Sequence, residues 1–434
     1  MPIGARLTGW ALMLGLVACG RGGQPEGQSY GAAPAIPDRG KPLIPNLNPA
    51  PAIKDGWAGG ATPSAPSGFK VTLAAEGLDH PRWLYVLPNG DVLVAEANKQ
   101  PSPHHGVQGT IMTALEQRAG ALTVSADRLT LIHDPAAGGP PRTSVFLSGL
   151  RSPFGMALVG ENLFIANTDS IVRVPYHAGD QHAAVAPVKV ADLPANPPND
   201  HWTRNLIASP DGKRLYVTVG SDSEAGEHGM DKEKNRADVL SLNPDGADLQ
   251  VYASGLRNPG GLAWEPATGV LWVTVNERDL LGDDTPPDFM TGLEPGGFYG
   301  WPWSYFGAHI DRTVKPPRPD MVAKALTPDY ALGAHTAPLG LMFYTGQAFP
   351  AAWRGGAFVA QHGSWNRTPR VGYKVIYIPF RNGRPSGPPQ DFLTGFLDGQ
   401  GRARGRPVDV VMDRSGALLV TDDVGDRVWR IAPG

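Results

Sequence analysis

The chain has 434 residues, 41% hydrophobic and 18% charged, a globular balance with room for one large domain or several ordinary ones. A formal charge of −3 gives no reason to expect a nucleic acid or an acidic membrane surface as partner. The 55 glycines and 44 prolines favour an all-β chain with many turns over a helical one.

The N-terminus reads as an export signal. Arg6 supplies the positive region and Trp10 to Ala18 the apolar stretch, well short of the ~20 residues that span a bilayer. Leu16-Val17-Ala18-Cys19 has the form of a lipobox, so Cys19 is expected to carry a lipid; the plainer alternative is an ordinary thiol. Cys19 is the only cysteine, and once modified it leaves no thiol for a disulfide, a cysteine-ligated metal or a c-type haem. The expected address is the cell envelope, facing the periplasm, with the membrane touched through the lipid alone. Residues 19–67, rich in Gly, Pro, Ala and Asn and without hydrophobic period, are expected to form a flexible tether with no catalytic role.

From 68 to 434 one pattern recurs: a glycine turn, a short apolar strand, and a small or polar residue at its end. The copies are Pro88–Glu96, Val159–Asn167, Pro210–Gly220, Ala267–Asn276, Arg354–His362 and Asp413–Asp422. Several are preceded by a second strand-like segment (Gly77–Val86, Gly149–Leu158, Gly255–Trp264) and followed by a third strand with alternation (Ser170–Pro175, Ala237–Leu242, Tyr373–Ile378, Arg427–Ile431). A lone antiparallel blade cannot bury both faces, so the repeat predicts an all-β, six-bladed β-propeller rather than two stacked sandwiches. No amphipathic helix of useful length is expected. The long loops at 98–145 and 277–340 are expected to build a site at one end of the central channel.

Three clusters could carry chemistry. In Asn199-Asp200-His201-Trp202-Thr203-Arg204, an imidazole beside an acid suits a general base and Arg204 an anion, or the histidine is a plain surface residue. In Gly255-Leu256-Arg257-Asn258-Pro259-Gly260-Gly261 a guanidinium sits on a tight turn, suited to a carboxylate or a developing oxyanion, or to a neighbouring acid. The run Asn276-Glu277-Arg278-Asp279-Leu280-Leu281-Gly282-Asp283-Asp284 offers oxygens to a hard cation, though not with EF-hand spacing; a solvated acidic loop is the rival. The aromatics of Gly297–Pro302 and of Gln361–Arg367 suit either stacking on a flat ligand or wedging between blades. No dinucleotide loop, P-loop, nucleophile elbow or HExxH motif is present.

In this order the clusters resemble the soluble glucose/sorbosone dehydrogenase family, six-bladed propellers that bind pyrroloquinoline quinone (PQQ) and Ca²⁺. Ser152–Leu158, His362–Arg367 and Asp422–Arg427 look like its sorbosone dehydrogenase branch. The resemblance, running from about Phe69 to the C-terminus, implies His201 as catalytic base and Arg257 with Asn258 beside the quinone oxygens. It implies Arg204, Arg367, Lys374 and Arg406 as further cofactor contacts, and backbone carbonyls of Asp279 and Leu280, within the loop bearing Glu277, Asp283 and Asp284, as calcium ligands. Three features depart from the glucose branch: Val408 stands where a second arginine is usual, Asp279-Leu280 replaces Gly-Pro, and the early quinone-contacting glutamine is not evident. The implied activity is oxidation of an aldose or related sugar, with electrons leaving to a separate acceptor such as a quinone pool or a cytochrome. A calcium-dependent lactonase and a non-catalytic envelope binding propeller remain the alternatives.

Overall fold

The computed structural model describes residues 23, 29–37, 46–100, 106–197 and 199–434. The export signal and Cys19 lie outside the described residues. Among the described residues no helix is long and apolar enough to cross a membrane.

The repeat folds into six antiparallel blades of four principal strands each. Their first strands are Pro81–Val86, Met156–Val159, Leu206–Ala208, Asn258–Trp264, Pro338–Phe343 and Pro407–Met412, and these touch one another in a closed ring about the axis. The copies read from sequence are therefore the second strands, one step out from the axis. Strand Phe69–Glu76 pairs antiparallel with Arg427–Pro433 and supplies the outer strand of the last blade, tying the start of the domain to its end.

Each blade buries both faces against its neighbours. Six apolar clusters fill the interfaces among the described residues, one per pair of adjacent blades. The wedge between the last two blades is the most aromatic, with Phe349, Phe358, Tyr377, Phe392 and Trp429 buried together. Close approach of the inner strands needs glycine. A side chain on Gly155 would overlap the backbone of Asn205 and Leu206, and one on Gly261 would overlap Leu339 and Leu341. These two glycines are why the turn motifs of blades two and four read Pro-Phe-Gly and Pro-Gly-Gly.

A helix, α1 (Gly106–Arg118), forms within the long loop of the first blade, without a marked apolar stripe for periodicity to reveal. One expectation needs correction: the whole of 19–67 is not a free tether. Tyr30–Gly31 adds to the edge of the fourth blade, and residues 46–67 lie as a strap across blades five and six. Ala50 and Trp57 are buried in the last wedge, and the Trp57 indole donates to Asp422 at 2.7 Å. Ala52 N donates to Arg118 O at 2.9 Å, so the strap also pins the end of α1. Isolated anchors of this kind leave no period to read. Trp57→Ala should cost about 3 kcal/mol, seen in urea unfolding as a lower midpoint at unchanged m; an unshifted midpoint would restore the flexible tether.

Candidate active site in the axial channel

A cavity of about 770 Å³ opens at the end of the channel where the first strands begin, roofed by α1 and the segment after it. His201, Asn258 and Arg257 all line it, together with Trp202, Trp365 and Asn366. Residues far apart in the sequence thus meet where the pattern placed them. Gly220, at the end of a second strand, lets His201 and Asn258 approach each other, because any side chain there would overlap both.

The imidazole of His201 is fixed in one tautomer. Its Nδ1 lies 3.0 Å from the Ser221 carbonyl, which can only accept, while the Ser221 hydroxyl is committed to Ser223 O at 2.7 Å. Nδ1 therefore carries the proton and Nε2 a lone pair. Burial, then repulsion from Arg257, pushes the ring down to about 3, so it is neutral at physiological pH.

Arg257 sits on a left-handed turn (φ 40°) and is buried. Its guanidinium donates to the Glu277 carbonyl at 2.8 Å and pairs with Glu224 and, at 3.2 Å, with Asp279. Burial works against its charge, but Glu224 and Asp279 more than offset that and hold it firmly ionised. Glu224, absent from the sequence reading, also accepts from the Asp279 amide, and the Trp301 indole donates to its backbone carbonyl at 3.0 Å. Tyr299 and Trp301 are buried supports of this kind rather than a stacking platform.

The expected ring of cations does not line the cavity. Arg204 is fully buried and spends its guanidinium on the carbonyls of His201, Thr203 and Pro194 and on Asn199 Oδ1. With Arg236, which reaches Pro194 O, Asn199 Oδ1 and Ser221 O, it frames the loop that presents His201. Arg367 pairs with Asp284 at 3.1 Å and donates to Asp283 O; Lys374 pairs with Asp391 at 2.7 Å on the outer strand of its blade. Arg406 donates to Ala50 O in the strap and lies over the Tyr373 ring. It belongs to a second buried cluster, where Arg82, His80 and His362 converge on Asp423 Oδ2. Of the loop after the fourth blade's second strand, Glu277 and Asp279 line the cavity. Leu280, Asp283 and Asp284 do not line it, and Asp283 instead accepts from Asn46 of the strap at 2.9 Å. Val408 is part of a buried apolar wedge.

What the wall offers instead is oxygen. The described lining residues include Lys99 (paired with Asp200), Arg257, and His335, whose charge burial opposes but Asp279 at 3.5 Å favours on balance, against the carboxyl groups of Glu116, Asp200, Glu224, Glu277, Asp279 and Asp288. Burial pushes Glu277 up to about 8 and Asp288 up to about 6. Buried Asn258 Oδ1, Glu277 Oε1 and Asn366 Oδ1 have no hydrogen-bond partner. A glutamine is present too: Gln100 lines the cavity, its amide donating to Ser152 at 2.9 Å.

Fold and site together define a six-bladed propeller whose channel mouth holds a neutral imidazole, a buried guanidinium and an excess of oxygen acceptors. The glucose/sorbosone dehydrogenase family model matches residues 164–364, and a TrAA12-like model matches 320–433. An uncharacterized protein of Borreliella burgdorferi is 30% identical over 293 residues, 65% of this chain and 76% of that one. The PQQ-dependent pyranose dehydrogenase of Coprinopsis cinerea is 24% identical over 427 residues, 84% of this chain and 54% of the fungal protein. The holo form of that enzyme's PQQ domain superposes with a TM-score of 0.67 at 22% identity, covering 86% of this chain and 97% of the domain. A calcium structure of a Trichoderma reesei family AA12 enzyme superposes with a TM-score of 0.67 at 18% identity, covering 90% and 99%. The chain belongs to the glucose/sorbosone dehydrogenase family.

The burial of His201 has a measurable consequence. Its folded value of about 3 lies below the ordinary 6.5, so the unfolded chain takes up the proton first as pH falls. The stability held by the neutral ring is present above about 6.5 and is lost as pH drops from there toward 3. His80, pushed down to about 4 by burial, acts in the same sense. His201→Asn should therefore flatten, without abolishing, the fall in unfolding midpoint between pH 7 and pH 4.5; an unchanged slope would contradict a buried neutral ring.

Proposed function

We propose that the chain is a PQQ- and calcium-dependent oxidoreductase that oxidises an aldose or related sugar, of the sorbosone or glucose class, in the cell envelope. The observation that carries this is the meeting of His201, Asn258 and Arg257 in one cavity, with the unprotonated Nε2 left as the ring's acceptor. The residues fit the cofactors. The partnerless oxygens of Asn258, Glu277 and Asn366 and the carboxylate excess suit a hard divalent cation. The acidic wall by itself disfavours an anionic quinone, so the quinone would enter together with the cation, which offsets negative charge on both. When bound, the quinone supplies the hydride acceptor and the cation polarises it.

The chain's own residues do the rest. His201 Nε2 takes the proton of the sugar hydroxyl as the neighbouring C–H bond is broken. Arg257, already locked by Glu224 and Asp279, faces developing negative charge without reorganising. Arg204 and Arg236 position His201 through its loop. Residues of α1 and Trp202 cover part of the cavity and would limit the access of water. Electrons leave to a separate acceptor, a quinone pool or a cytochrome. Cys19 would anchor the protein by its lipid.

A second reading has support in the same wall. Carboxylates and amides around the channel mouth also suit a calcium-dependent lactonase, which needs the cation and no quinone. Dye-linked sugar oxidation by the full chain after adding PQQ and Ca²⁺ separates the two. His201→Ala should lower kcat by about 10²–10⁴ with little change in KM. Activity that persists in that variant removes the mechanism, lactone hydrolysis with Ca²⁺ alone favours the second reading, and no PQQ uptake in a spectral titration favours a binding propeller.

A further inference from the structure

A second cavity, of about 310 Å³, lies near the start of strand Leu271–Asn276, whose last residue lines the axial site. Its volume is at the lower end of ligand pockets, ~300–1,000 Å³. It runs between the fourth blade and the turn at Gly383 and Arg384 in the fifth. Trp272 and Asn276 are four residues apart on that strand, so the two sites are separated by about 13 Å along it.

The feature that points to a ligand is Trp272. Its side chain is buried, 1% exposed, and its indole N–H has no hydrogen-bond partner. Buried indole nitrogens are ordinarily paired, and leaving one unpaired costs on the order of 1–3 kcal/mol. Gly292 stands opposite on the neighbouring strand and also lines the cavity. A Cβ on Gly292 would lie 3.4 Å from the indole nitrogen and 3.0 Å from Val270, so the missing side chain leaves room beside an indole nitrogen that is itself buried.

The surrounding groups define what could answer it. A donor needs a lone pair, which a metal cation lacks. Two carboxylates, Glu294 and Asp329, disfavour an anion, and the single guanidinium, Arg384, is already paired with Asp329. Thr327 adds a hydroxyl that can give and accept, while the Thr268 hydroxyl gives its hydrogen to Glu265 at 2.6 Å and keeps a lone pair to accept with. Neutral hydroxyls meet all of these demands, taking the indole hydrogen on a lone pair and giving their own hydrogen to a carboxylate.

We propose that this groove is a second saccharide-binding site, distinct from the axial cavity, in which a sugar hydroxyl accepts from the Trp272 indole. The site needs no quinone or cation and stands whether or not the axial cavity oxidises sugars. The probes are maltose and cellobiose, titrated calorimetrically into the full chain. Saturable binding is expected, with Trp272→Phe, which keeps the ring packing and removes the N–H, weakening it about tenfold. Gly292→Ala should weaken it as well by narrowing the groove, and serves if the Phe variant fails to fold. His201→Ala should leave it unchanged. Absence of binding by either disaccharide, equal affinity in the Trp272 and Gly292 variants, or loss of all binding in His201→Ala would overturn the proposal.

Discussion

The channel mouth is organised around one buried guanidinium. Arg257 leaves its strand on a left-handed turn and is gripped by Glu224 from the third blade and Asp279 from the loop of the fourth. A buried charge of this kind is tolerable only while paired, and removing one partner of such a pair typically costs about 3–5 kcal/mol. The pairing therefore fixes two loops as well as one side chain. It lowers the affinity of His201 for a proton, and it consumes part of the acidic wall, leaving Glu277, Asn258 and Asn366 with oxygens unanswered. A neutral base, an oriented positive charge and an oxygen-rich wall are thus consequences of one arrangement.

The repeat was legible because propeller physics writes itself into sequence. A second strand buried on both faces must be apolar, and a turn must follow it, so Val92–Glu96 and its counterparts announce themselves. The first strands are marked by glycine where blades touch, as at Gly155 and Gly261. His201, Arg257 and Asn258 meet at the mouth because each lies at or shortly before the start of a first strand.

The remaining cations were misplaced because sequence gives residue type but not partner. Arg204, Arg367, Lys374 and Arg406 each found a local obligation, whether a carbonyl cage, an acid on the next loop or the strap. Nothing in the pattern reveals that a proline- and glycine-rich N-terminal segment returns to occupy Arg406. Glu224 was invisible for a similar reason, since Ser223-Glu224-Ala225 has no signal until the fold sets it against Arg257. In the acidic loop at 277–284, Glu277 and Asp279 line the cavity and Leu280, Asp283 and Asp284 do not.

The account rests on that wall being a cation site beside an already neutralised arginine. Anomalous diffraction from crystals soaked in a lanthanide, a hard cation standing in for calcium, tests it most directly. The account predicts a single strong peak in the axial cavity within bonding distance of oxygens from Asn258, Glu277 or Asn366. A cavity without a peak, with the ion found solely on outer carboxylates, would contradict it.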